Sequence, residues 1–167
     1  TDSTIFRSMS LFDHLHGQHI SACEGQPAID FLLLESPHTL RTADYHRLPR
    51  QTVLREDSEK LDDAWRMLQQ ACRDNDPGRL GEAATISAIA SQKLLPKSGF
   101  TNLLRLAEAF DLYGINVAHS GSVVGLMLDR ERHDSEKILR VMAAEGLLNA
   151  WPRQHLLRMV PGGVTLR

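Results

Sequence analysis

The stretch Tyr113 to Asp129, YGINVAHSGSVVGLMLD, decides how the chain is read. Two β-favouring runs, Ile115 to Ala118 and Val123 to Leu128, flank His119-Ser120-Gly121-Ser122, which is too polar and too small to belong to a core. The runs predict a hairpin. In its plainest form the loop is a turn, with Gly121 at positive φ and the serines satisfying local backbone groups. Yet Ala118, Ser120, Gly121 and Ser122 in succession, with Gly125 beyond, leave the backbone open to close approach by a ligand or another loop. Consecutive N–H groups there can hold an anion. A nucleophilic Ser120 with His119 as its base is not supported, because adjacent residues on an extended chain point to opposite faces and no orienting acid is evident.

Upstream of the hairpin, Leu103, Leu106, Ala107 and Phe110 share one side of a helix expected over Phe100 to Tyr113, with Gly114 in the left-handed position that ends it. Before it, Asp76 can cap a helix with Pro77 at its first position, running to about Leu94 until Pro96 stops it. From Ser58, the residues Leu61, Ala64, Trp65, Leu68, Ala71 and Cys72 mark one face of a further helix, which RDNDPG terminates. Pro37 to Arg55 shows neither period and reads as a surface connection with at most a short helical turn. Ahead of it, GQHISACEGQPAIDFLLLES holds two β-like runs, His19 to Cys23 and Ala28 to Glu35, and predicts a second hairpin about Glu24-Gly25-Gln26-Pro27. Downstream, a helix is expected from Ser135 to Leu147 and a last strand around His155 to Val160. The order β-β-ααα-β-β-α-β predicts an α+β fold of the ferredoxin-like, split β-α-β kind, an antiparallel sheet with helices packed on one face.

With 167 residues, 42% of them hydrophobic, the chain can bury one substantial core, so one compact domain is expected. The net charge of −2 arises from 19 basic and 21 acidic residues spread along the whole length, which leaves no basic stripe for a phosphate backbone and argues against nucleic acid as a partner. Cys23 and Cys72, in a chain without a secretory segment, are read as reduced, buried thiols of a cytoplasmic protein. No apolar run approaches the roughly 20 residues that span a bilayer, so no membrane partner is expected. The first residue is Thr1, not Met, which reads as a piece of a longer polypeptide whose front half lies elsewhere. His14, His16 and His19 invite comparison with a metal site, but zinc needs three or four converging ligands and no acidic or cysteine partner stands at a recognisable spacing. They read as exposed histidines entering a strand, and no metal ligands are assigned. By position Trp65 and Met67 are core or near-core residues, and Trp151-Pro152 is a packed corner.

Taken together these features resemble the second half of the GHMP small-molecule kinases, which phosphorylate hydroxyl-bearing metabolites with ATP. The resemblance rests on the small-residue motif GINVAHSGSVVGLML between two strands near the C-terminus, on the order of three helices, hairpin, helix and strand, and on TDSTIF ahead of a strand hairpin, where that family often places an aspartate. AHSG in place of the more usual Thr-Gly-Ala-Gly-Gly, with TDS and LFDH, looks most like the branch that phosphorylates L-threonine in cobalamin side-chain synthesis, often labelled propanediol-utilisation proteins. The family's other glycine-rich phosphate loop, opening a helix, is not found in these 167 residues. The resemblance implies a segment 1–36 that leads in from an N-terminal domain and contains a hairpin, followed by a C-terminal kinase domain over 37–167. It implies Asp2 at the acceptor hydroxyl, as the group that takes or orients its proton, and Ala118, His119, Ser120, Gly121 and Ser122 in contact with the acceptor or the phosphate loop. ATP and Mg²⁺ would be bound mainly by the N-terminal half. The implied partners are ATP, a small-molecule acceptor, the N-terminal kinase domain and, left open, a second copy as a homodimer. The rival reading is a non-catalytic α+β module that binds a metabolite or a partner chain through the same loop.

Overall fold

The structure, a computed structural model, describes residues 6–13, 16–38, 41, 44–45, 47–118 and 122–163. Six strands are present among them: β1 (Ser10–Asp13), β2 (Gln18–Ala22), β3 (Asp30–Glu35), β4 (Gly114–Val117), β5 (Val123–Leu128) and β6 (Arg153–Arg158). The helices are α1 (Arg50–Arg55), α2 (Ser58–Asp74), α3 (Pro77–Ser91), α4 (Phe100–Ala109) and α5 (Ser135–Ala144), with a 3₁₀ turn over Leu147–Asn149. The main sheet has the order β4-β5-β3-β6, every pair antiparallel. With β3 counted first, this is the strand order of the ferredoxin-like fold, as the sequence predicts.

One face of the sheet is dry. Leu32 and Leu34 of β3, opposite Leu126 and Val124 of β5, alternate inward and join Ile115, Leu103, Leu106, Ile138, Met142 and Trp151 in a core beneath α4 and α5. Trp151 is the corner expected of it, fully buried with its indole N–H donating to Ser98 O at 3.2 Å. Helices α2 and α3 lie elsewhere, beside β4 and partly over the second face, where Ile29, Ala71, Leu80 and Met127 form a smaller apolar cluster. Asp30, buried where β3 begins, receives the Arg158 Nε–H at 3.1 Å and the backbone N–H of Arg130 at 3.1 Å, with Arg130 Nη2 2.8 Å away. Burial alone would raise its carboxyl, but these donors outweigh it and hold the group down at about 2.

The edge of β4 is covered rather than open. Gly81 of α3 and Gly114 of β4 let the two backbones touch: a Cβ on Gly81 would lie 1.9 Å from Tyr113 O, and one on Gly114 would lie 2.2 Å from Gly81 O. At that contact Thr85 Oγ1 donates to Gly81 O at 2.8 Å and accepts the Ile115 N–H at 2.9 Å, which satisfies an edge donor that would otherwise face no strand. Gly114 therefore serves helix–strand approach and not the helix end for which its position suggested it. Helix α4 stops earlier, at Ala109, and Asp111 takes the left-handed conformation at φ 52° while Leu112 N–H bonds back to Ala107 O at 2.9 Å. The expected cap of α3 is present, with Asp76 accepting from Arg79 N–H at 3.0 Å and Pro77 in the first turn.

The first hairpin is corrected. β2 pairs with β1, through Phe12 and His19 among others, and Cys23 N–H extends the pairing to Met9 O at 2.8 Å; it does not pair with β3. The physical reason is that β3 carries apolar side chains toward both faces and is bonded along both edges, by β5 and β6, so no edge remains for β2. The chain between them turns at Gly25 (φ 81°) against Cys72 O of α2. There Cys23 and Cys72, both buried and free, hydrogen-bond to each other; burial and then the neighbouring thiol push Cys23 up to about 12.

Candidate functional site

The β4–β5 hairpin carries the small-residue loop at its tip. Val117 pairs with Val124, and Ala118 N–H closes the ladder on Val123 O at 3.0 Å. Ser36 N–H donates to Ser122 O at 2.9 Å, which ties the far side of the loop to the end of β3. Ala118 is exposed and Ser122 half-buried, so both ends of the loop are fixed by the sheet and open to what lies outside it. His119, Ser120 and Gly121 lie outside the described residues, as does Asp2.

Two cavities flank the hairpin on the α2–α3 side and share Leu61, Ser87 and Val117. The larger, about 430 Å³, is walled by Met9, Leu11, Phe31, Trp65, Leu68 and Met127, with Asn116 as its principal polar group. Asn116 Oδ1 is buried with no hydrogen-bond partner among the described residues. It also explains Gly125, where a Cβ would sit 2.1 Å from that oxygen: what approaches this glycine closely is the opposite side chain of its own hairpin. Trp65 is thus a half-buried cleft wall and not a fully enclosed core residue.

The smaller cavity, about 160 Å³, adjoins the loop at Val117 and Ala118 and is bounded by Tyr45, Leu54, Ala90, Leu94 and Lys97. Among the described residues its walls hold a single ammonium and no carboxylate. Lys97 donates to Leu95 O, and its own N–H is held by Gln92 Oε1 at 2.8 Å, which fixes the backbone just after Pro96. Burial lowers the Lys97 amine to about 8. The Arg50 guanidinium stands 5.2 Å from the Tyr45 ring centroid, so a second cation flanks the same cavity. Sequence reasoning passed over Lys97, because a lone lysine after a helix-stopping proline carries no signal until its surroundings are known.

The histidine group resolves differently from a metal centre. His16 Nδ1 lies 2.6 Å from Asp13 Oδ2, and the His19 ring packs on Phe6 with centroids 4.6 Å apart. His14 lies outside the described residues, and among those residues no group of three or more His, Cys, Asp or Glu side chains is placed to hold a metal ion. No described helix is long and apolar enough to cross a membrane.

The antiparallel sheet and the helices packed on it form a fold shared with about half of two solved small-molecule kinases. The mevalonate kinase of L. major, solved with R-mevalonate, aligns with 94% of this chain and 50% of its own at a TM-score of 0.69 and 11% identity. The homoserine kinase of Cytophaga hutchinsonii aligns with 90% of this chain and 47% of its own at a TM-score of 0.59 and 14% identity. At such identities the likeness is one of fold. The nearer kinship is in sequence: all 167 residues align at 60% identity with the L-threonine kinase of Salmonella typhimurium, and at 59% with that of Citrobacter freundii. The chain spans 56% and 58% of the length of these relatives. No family model matches the sequence. The resemblance to the GHMP kinases, and within them to those acting on L-threonine, is borne out by these relatives.

Proposed function

We propose that this chain is the C-terminal part of an ATP-dependent kinase that phosphorylates the side-chain hydroxyl of L-threonine in the cytoplasm. The observation that carries the reading is 60% identity over the whole chain to an L-threonine kinase, on a fold shared with kinases of two other small alcohols. Phosphoryl transfer depends mainly on positioning and charge stabilisation, so a domain that closes one side of the cleft contributes without holding the nucleotide. In this reading residues 1–36 lead in from an N-terminal kinase domain that holds most of the ATP and Mg²⁺ contacts, and 37–167 form the C-terminal domain, although β3 makes Asp30–Glu35 an integral part of its sheet. Asp2 takes or orients the acceptor proton, and Ala118 to Ser122 contact the acceptor or brace the phosphate loop.

The polypeptide completed to the length of its relatives should form O-phospho-L-threonine from ATP, Mg²⁺ and L-threonine, and the 167-residue chain alone should not. Asp2→Asn should lower kcat by about 10² to 10⁴-fold with little change in KM, since a proton acceptor acts in the transition state. Turnover by the 167-residue chain alone, or unchanged kcat in the variant, would contradict the assignment. Gly121→Val should injure kcat/KM out of proportion to its effect on the denaturation midpoint, with Ser122→Ala as the control that keeps the loop small. A loop that is only a turn gives the reverse order.

A further inference from the structure

We propose that the outer edge of β6 is an interface between two copies of this chain, paired antiparallel about a two-fold axis at Leu156. This does not depend on the kinase reading. The direction of each backbone group on the strand follows from its pairing with β3. Met159 N–H donates to Ile29 O at 2.9 Å, so in the alternating antiparallel pattern Arg153, His155 and Leu157 also bond inward. The bond from Ser36 N–H to Ser122 O fixes the same alternation on the β5 side of β3. The amide and carbonyl groups of Gln154, Leu156 and Arg158 therefore point away from the sheet. Among the described residues no backbone or side-chain group bonds to them. The opposite edge is closed, since α3 covers β4 and Thr85 takes up the Ile115 N–H.

Exposed edges are ordinarily guarded by free charge, and β6 carries Arg153, His155 and Arg158. All of them turn back on β3. Arg153 Nη2 is 2.7 Å from Glu35 Oε1, Arg158 Nε donates to Asp30 at 3.1 Å, and His155 Nε2 lies 3.8 Å from Glu35 Oε2. What is left uncovered is apolar: Leu156 is 39% exposed on the face of the main core, Leu157 49% exposed on the other face, and Val160 is exposed just beyond. Open hydrogen-bonding groups, neutralised charge and uncovered leucines suit a second strand of the same kind.

The strand meets its own copy without conflict. Only residues with outward groups stand opposite each other in a bonded pair, so Gln154, Leu156 and Arg158 must face that same set. With the axis at Leu156 all of them are used, Leu156 against its counterpart and Gln154 against Arg158 of the second copy. Each pair exchanges two bonds, about six in all, and the leucines at the axis pack together on the helix side of a continuous sheet. On the other face Leu157 lies opposite His155 and Arg153 opposite Met159, so no arginine faces an arginine. Moving the axis by one residue either way leaves outward groups of β6 with no counterpart in the strand. The result is a closed two-fold pair, the commonest form of assembly.

Sedimentation equilibrium of the polypeptide completed to the length of its relatives should show a monomer–dimer equilibrium. Leu156→Pro removes the central outward donor and no bond to β3, so the fold should persist. The dimer should weaken by about 10- to 100-fold, the loss of one hydrogen bond from each copy. Leu156→Lys sets like charges together at the axis and should weaken it too, whatever the proline does to folding. Leu156→Cys should cross-link under oxidised glutathione, because the Cα atoms of a bonded pair stand about 5.5 Å apart, within reach of a disulfide. Gln154→Cys, which faces Arg158, should not. A monomer at every concentration, a dimer untouched by both folded Leu156 variants, or cross-linking through Gln154→Cys in preference overturns the proposal. So does a dimer formed by the 167-residue chain and lost in the completed polypeptide, which gives this edge to the N-terminal half.

Discussion

Replacing Gly81 with alanine sets two effects of opposite sign against each other. In an exposed helix the change is stabilising by about 1 kcal/mol. In α3 the new Cβ lands 1.9 Å from Tyr113 O, where real Cβ contacts essentially never fall below 3.0 Å, so α3 and β4 must part by at least 1.1 Å (3.0 − 1.9). Such a displacement carries the Ile115 N–H from 2.9 Å to about 4.0 Å from Thr85 Oγ1, outside hydrogen-bonding range. Leaving that donor unpaired costs about 1–3 kcal/mol, and the overpacking costs roughly another 1–3 kcal/mol. Taking the middle of each, about 4 kcal/mol, and subtracting about 1 kcal/mol for helix propensity leaves a net loss of about 3 kcal/mol. At a urea m-value of about 2 kcal/mol/M, the unfolding midpoint should fall by about 1.5 M. Gly78→Ala is the control, because a Cβ there meets only Asp76 Oδ1, at an ordinary 3.4 Å. A Gly81→Ala midpoint equal to or above that of the parent would refute the close backbone contact between α3 and β4.

Asp30 is held at about 2 against an unfolded value of 3.8, so its stabilisation is complete above 3.8 and is lost as pH falls through about 2. Thermal melts across that window should show a steeper acid decline for the parent than for Asp30→Asn; parallel declines would mean that the two arginines do not stabilise the carboxylate. Lys97, lowered to about 8 from 10.5, binds its proton more weakly when folded, so its penalty is full below 8 and is relieved as pH rises toward 10.5. Lys97→Met should therefore be the more stable protein at neutral pH, with its advantage shrinking above pH 8; a difference constant with pH would place the effect in packing. Gly125→Ala should destabilise by crowding Asn116, and adding Asn116→Ala should restore much of the loss. Simple additivity in urea unfolding would show that the two side chains do not meet.

The helices were legible because each shows a 3.6-residue period and a local stop: Ser58 to Cys72 and the Asp76-Pro77 start needed only neighbouring residues to be read. The β4–β5 hairpin was legible for the same reason, its strands being adjacent in the chain. What escaped was non-local. No strand was expected where β1 lies, and β2 was given to β3 because the two are close in sequence, whereas pairing is decided by which edges remain free once β5 and β6 have taken theirs. Gly114 looked like a helix terminator since its true neighbour, Gly81, is distant along the chain. For the candidate site, Ala118 and Ser122 stand at the hairpin tip where the pattern put them, while Asp2, His119, Ser120 and Gly121 lie outside the described residues. Lys97 belongs to the same class as Gly114, since its meaning comes from the apolar walls around it.

The central place of β3 bears on how the chain is made. Its partners arrive late: Glu35 meets Arg153 across 118 residues, and Asp30 meets Arg158 across 128. At a translation rate of about 5–20 residues per second, the segment Asp-Phe-Leu-Leu-Leu-Glu leaves the ribosome on the order of 10 s before the last strand that will cover it. Until β5 follows it this strand has neither edge bonded, and one edge stays open until β6 is made, so the sheet cannot assemble outward from its middle. The helices between β3 and β4 are thus made before the sheet can close around β3, and a truncation that removes β6 leaves one edge of this strand open in the finished molecule.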